Sequence, residues 1–111
     1  MRNITEERIN VGDIVRHFKR ETLMRDGKYA GAKYLYKIIA FAEHTETKER
    51  MVVYQALYSD KDLGVKMFDY YCRPYDMFMS EVDKDKYPNI KQRYRFEVMM
   101  SKNDLDTRIV R

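Results

Sequence analysis

The sequence predicts a mainly β protein, a small antiparallel barrel of about five strands with one short helical turn. Three observations predict it. Short runs rich in β-branched and aromatic residues recur along the chain, most of them ended by a turn carrying Gly, Asp, Asn or Pro. No helical pattern of ten residues or more separates these runs, which excludes a doubly wound βαβ arrangement. The longest run, Lys33 to Glu43, is apolar on both faces near Ile38 to Phe41, as suits a strand that bends or passes through the middle of a closed sheet.

Each element follows from local pattern. Residues 1 to 10, MRNITEERIN, carry no strong period and read as a frayed leader or one helical turn. In VGDIVRHFK the Gly-Asp turn leads into a first strand, roughly Asp13 to Lys19. RETLMRDGKYAGAK breaks every period and reads as a loop, long for so small a domain. Lys33 to Glu43 and Arg50 to Tyr58 form a hairpin through the turn HTETKE. VKMFDYYCR alternates Val65, Met67, Asp69 and Tyr71 against Lys66, Phe68, Tyr70 and Cys72, and Pro74 stops it. PYDMFMSEVD starts on a proline suited to a first helical turn and predicts one turn of helix or 3₁₀ helix. DKDKYPNIKQ is polar, Arg93 to Met99 makes a last strand, and the final dozen residues predict a mobile or short helical tail. The expected organisation is therefore a leader over 1–10, one barrel domain over 11–99 and a tail over 100–111.

Bulk composition narrows the function classes. At 111 residues the chain sits near the commonest size of a single domain. Lys and Arg number 22 against 18 Asp and Glu, a mild basic bias with net charge +4 and no polybasic run. The bias concentrates between Arg16 and Lys37, where Arg16, Lys19, Arg20, Arg25, Lys28, Lys33 and Lys37 face only Glu21 and Asp26. A phosphate-bearing partner would be drawn there, although a solvated loop flanked by strand-edge lysines has the same pattern. The lone Cys72 has no internal disulfide partner, the first residues lack the apolar run of a signal peptide, and no segment approaches the ~18 to 20 apolar residues of a membrane span. Cytoplasm is the expected compartment.

In order along the chain, VGDIVRHFK, YKIIAFAEHTETKERMVVYQALYSD and CRPYDMFMSEVDKDKYPNIKQRYRFE resemble the bacterial and phage family known as domain of unknown function 1653. The shared features are a His-aromatic-Lys segment, a strand ending in His-Ser/Thr-Glu-Thr, a Val-Val-Tyr-x-x-Leu-Tyr strand, an Arg-Pro-x-x-Met-Phe turn and a closing Arg-Phe, spanning about residues 11 to 97. The resemblance implies an SH3-like small β-barrel and no established activity. Three departures stand out. Family members often have glycine where Lys48 stands, a position suited to a left-handed turn; residues 20 to 32 form an insertion; and Tyr71 and Cys72 replace an aromatic-Val pair, which puts Cys72 in an apolar slot.

The chemistry-bearing residues each have a structural and a functional reading. His44, with Thr45, Glu46 and Thr47, either fastens a turn through local backbone bonds or acts as an acid-base with Glu46 orienting it. His17 and Lys19, with Arg73, form a candidate cationic patch for phosphate or carboxylate, against the alternative that Arg73 bonds backbone carbonyls beside Pro74. Tyr36, Tyr54, Tyr58, Tyr70 and Tyr71 are candidate stacking rings for a base, or core residues with hydroxyls at the rim. Cys72 reads as a buried small hydrophobe, and two histidines and one cysteine without ligand spacing predict no metal site and no cofactor.

The favoured expectation is a binding module that holds an anionic ligand, a nucleotide or nucleic acid, on a rim of His17, Lys19, Tyr36, His44, Tyr54, Tyr58 and Arg73. The alternatives are a small hydrolase or transferase using His44 and Glu46, and a protein-interaction barrel whose edge strand pairs with another chain or forms a homodimer.

Overall fold

The computed structural model describes residues 8–23 and 30–109. Five strands, β1 (Ile14–His17), β2 (Leu35–Glu43), β3 (Arg50–Ala56), β4 (Tyr70–Pro74) and β5 (Phe96–Met100), form one antiparallel sheet in the order β4-β3-β2-β1-β5. The sheet is not closed: β4 and β5 end it, so the barrel closure expected from the sequence is not made by a strand ladder. Short helices α1 (Arg20–Leu23), α2 (Tyr75–Phe78) and α3 (Lys102–Ile109) follow β1, β4 and β5. Most of the expected leader, residues 1–7, and residues 24–29 of the insertion lie outside the described residues.

The apolarity of both faces of β2 has a local cause. Ile38 pairs with Tyr54 and Ala40 with Val53, so Ile39 is an extra residue, a β-bulge. Before the bulge Tyr36 and Ile38 fill the core; after it Phe41 packs against that core while Ala42 is exposed. The bulge exchanges the two faces, and a strand that bends is the alternative realised.

The alternation read in VKMFDYYCR begins late. Asp60 and Val65 bridge across a tight turn, Phe68 adopts φ 71°, and regular pairing starts only at Tyr70. Tyr71 then faces the core, with its ring 6.1 Å from that of Tyr54. Cys72 in consequence points outward and is exposed, which corrects the expectation of a buried thiol.

The main core gathers Ile9, Val15, Tyr36, Ile38, Val52, Tyr54, Ala56, Tyr58, Phe78 and Phe96. At its centre the rings of Phe78 and Phe96 stack 3.9 Å apart, joining α2 to β5. A smaller cluster of Phe18, Val82 and Ile90 with Tyr87 lies beyond it. The polar stretch before β5 is held by side chains: Glu21 accepts from the amides of Lys91 and Gln92, and Gln92 donates to the carbonyls of Arg16, Tyr94 and Arg95. The C-terminal residues form α3 because Ser101 caps it, its hydroxyl accepting from the Asp104 amide, while Asp13 accepts from the Lys102 amide.

Candidate functional site

β1 ends at His17, where its amide bonds the carbonyl of Tyr34 and its side chain is buried. There it meets Phe18 stacked at 4.4 Å, Phe96 edge-on at 4.9 Å and Tyr34 at 5.8 Å. Phe96 is the hub of the candidate site. Tyr36 lies 5.9 Å and Tyr54 6.0 Å from it, and the guanidinium of Arg73 sits over its ring at 5.6 Å. Edge strand β4 and inner strand β1 thus bring Arg73 and His17 to one aromatic ring, that of Phe96 on the opposite edge strand β5.

The imidazole of His17 is neutral. Its Nδ1 accepts a hydrogen bond from the Lys19 amide at 3.1 Å, which places the proton on Nε2. Burial, followed by the charges of Arg73, Lys19 and Arg95, holds its pKa down to about 3. Every fully buried side-chain nitrogen or oxygen among the described residues has a hydrogen-bond partner, whereas Nε2 has none. The 8% of His17 that remains exposed therefore includes this N–H. The Arg73 side chain makes no hydrogen bond or ion pair among the described residues, so it does not brace the turn at Pro74. Lys19 is exposed, outside the strand.

The tyrosines divide. Tyr36, Tyr54 and Tyr58 are buried, at 9%, 7% and 5% exposure, while Tyr70 is 64% exposed. The hydroxyls of Tyr36 and Tyr58 bond each other at 2.6 Å, and burial raises the pKa of both. Tyr34 joins the site with φ 65°, an uncommon backbone state for a bulky residue, between the rings of His17 and Tyr58.

His44 stands elsewhere. It follows the last residue of the nine-residue strand β2, whose other end lies beside His17, which separates the two by about 30 Å along the strand. Its Nδ1 accepts from the amides of Glu46 and Thr47, and Thr47 Oγ1 accepts from the Glu49 amide. These are the local backbone bonds of a turn. The Glu46 carboxylate makes no bond to His44 among the described residues. Lys48 in the same turn adopts φ 65°, the left-handed conformation.

Sequence reasoning missed Tyr34, Arg95 and Phe96 as members of the site. The last two are the Arg-Phe pair that closes the matched motifs, a signal that was visible without its spatial meaning. A cleft of about 620 Å³ lies elsewhere, lined by Arg16, Glu21, Gln92 and Glu97, whose polar groups largely satisfy one another. Among the described residues no group of three or more His, Cys, Asp or Glu could hold a metal ion, and no helix is long and apolar enough to cross a membrane.

Comparison with curated proteins and with solved structures finds no match. The family model described as "Protein of unknown function (DUF1653)" matches residues 13–98. That span runs from the turn before β1 into β5 and holds His17, Tyr34, Arg73, Arg95 and Phe96 together, and on this match the chain belongs to the DUF1653 family.

Proposed function

We propose that this protein is a binding module for an anionic group, the phosphate of a nucleotide or nucleic acid, held at the mouth between His17, Lys19, Arg73 and Arg95. The observation that carries the reading is the uncompensated charge there. Three cations act on one neutral imidazole whose N–H reaches solvent, and Arg73 has no carboxylate or carbonyl partner among the described residues. An entering phosphate would take the Nε2 proton as a hydrogen bond and the guanidinium as a charge-assisted one. Tyr36, Tyr54 and Tyr58 then serve chiefly as the wall behind the mouth, because little of their ring surface is left for stacking.

Two finer points belong to the same proposal. The bulges in β1 and β2 curl the sheet enough for Arg73 of β4 to reach Phe96 of β5, in keeping with an SH3-like architecture. The free, exposed thiol of Cys72 suits a reducing cytoplasmic setting.

The test is a titration of the full chain with inorganic phosphate, a nucleoside monophosphate and a short oligonucleotide at low ionic strength, read from the His17 ring resonances. Binding should saturate, weaken as salt rises and raise the His17 pKa, and Arg73→Ala should weaken it about tenfold or more, the worth of one charge-assisted hydrogen bond. No response to any of the three ligands would overturn the proposal.

A further inference from the structure

Strand β4 ends the sheet, and the direction of its backbone groups can be assigned. The Ala56 amide bonds the Asp69 carbonyl at 3.1 Å, and in this register Tyr54 faces Tyr71 and Val52 faces Arg73. Hydrogen-bonded and non-bonded pairs alternate in an antiparallel ladder. Asp69, Tyr71 and Arg73 therefore direct their backbone groups at β3, while the N–H and C=O of Tyr70 and Cys72 point away from the sheet. No group among the described residues meets them. The flanking side chains are apolar and displayed: Phe68 is 61% and Tyr70 64% exposed, with Leu63 and Met67 about half exposed nearby. The Phe68 backbone is pinned, its amide bonding the Ala56 carbonyl and its carbonyl accepting from Gln55 Nε2.

We infer that β4 is a strand-pairing edge whose occupant is β4 of a second copy of this chain, related by a two-fold axis through Tyr71. The charges choose this occupant and this register. Centring the pair on Tyr71 sets Tyr70 opposite Cys72 of the second copy, so that both open N–H groups find carbonyls. It also sets Asp69 opposite Arg73 at each end, an opposite-charge cross-strand pair made twice by symmetry. Phe68 falls in line with Pro74 of the second copy, apolar against apolar. Shifting the centre to Cys72 would place Pro74, which has no N–H, opposite Tyr70 and would leave Asp69 without a cation.

The experiment is sedimentation of the full chain from micromolar to millimolar concentration. The wild type should form dimers; Asp69→Lys should weaken dimerisation about tenfold or more through like charges facing Arg73; and Asp69→Lys with Arg73→Glu should restore it. Asp69 is exposed, so the single variant leaves the core intact. A second measurement fixes the register. Tyr70→Cys should give a disulfide-linked dimer on mild oxidation, because directly opposed residues of a hydrogen-bonded pair lie about 5.5 Å apart at Cα, within disulfide reach. The wild type, with Cys72 opposed to Tyr70, should not. A monomer at all concentrations, or a dimer indifferent to Asp69→Lys, overturns the inference. So does cross-linking of the wild type rather than of Tyr70→Cys, as would capture of the edge solely by an unrelated extended peptide.

Discussion

His17 is a base kept unprotonated by its surroundings, and its effect on stability has a definite sign. In the unfolded chain its imidazole titrates near 6.5, and in the fold burial and three neighbouring cations bring it to about 3. Between these values the unfolded chain holds a proton that the folded chain excludes. The stabilisation is thus complete above about pH 6.5 and falls as pH drops, by roughly 3 kcal/mol at pH 4. Chemical denaturation of the wild type and of His17→Gln at pH 8 and pH 4 checks this: the gap between them should shrink by about that amount on acidification, and parallel losses would contradict it. Tyr36 and Tyr58 allow a second prediction. Their hydroxyls, 2.6 Å apart, satisfy each other in the core. Tyr58→Phe should therefore cost about 1 to 2 kcal/mol by leaving the Tyr36 hydroxyl without its partner, whereas the double change to Phe should cost little more than the single one. A double-mutant cycle in urea measures the coupling.

The turns show how much of an element its own residues specify. The hairpin turn between β2 and β3 was legible as a turn, and His44 and Thr47 hold it through backbone amides, the bland reading of a conspicuous segment. Lys48 occupies a left-handed position at φ 65°, where a Cβ is unfavourable. Lys48→Gly should stabilise the protein by up to about 1 kcal/mol, less whatever the extra freedom of glycine gives the unfolded chain. A thermal melt that moves down instead would show that the lysine side chain contributes more than the backbone strain removes. The polar stretch 83–92 had no readable period, yet it is not an idle loop. Its anchors are Glu21 and Gln92, with Lys84 bonding the Ile90 and Gln92 carbonyls. Those anchors join residues some 70 positions apart, 71 in the case of Glu21 and Gln92, and no local pattern announces such a bond.

At the scale of the whole molecule, the two proposals meet at Arg73. Its guanidinium lies over Phe96 at the proposed anion site, and the same residue would stand opposite Asp69 of a second copy. If both uses hold, phosphate and the second copy compete, and linkage requires the effect to be reciprocal: saturating phosphate should weaken dimerisation by the factor by which dimerisation weakens phosphate binding. Sedimentation with and without phosphate at constant ionic strength measures one side, and phosphate titration at low and high protein concentration the other. No effect of phosphate on dimerisation, matched by none of dimerisation on phosphate binding, would show that Arg73 is not the shared residue.

The sequence by itself determined that the chain is mainly β, where its strands and the turn of helix after Pro74 lie to within a few residues save for the late start of β4, and to which family it belongs, because alternation, turn residues and ordered motifs are local properties. Only the tertiary structure decided that the sheet stays open, that a bulge at Ile39 exchanges the faces of β2, that Cys72 points outward, and that Arg73 reaches His17 across Phe96 while His44 remains at the far end of the strand. The physical reason is one of range. Strand alternation is fixed by neighbours two residues apart, whereas curl, bulges and the meeting of opposite sheet edges depend on which distant side chains fill a shared core.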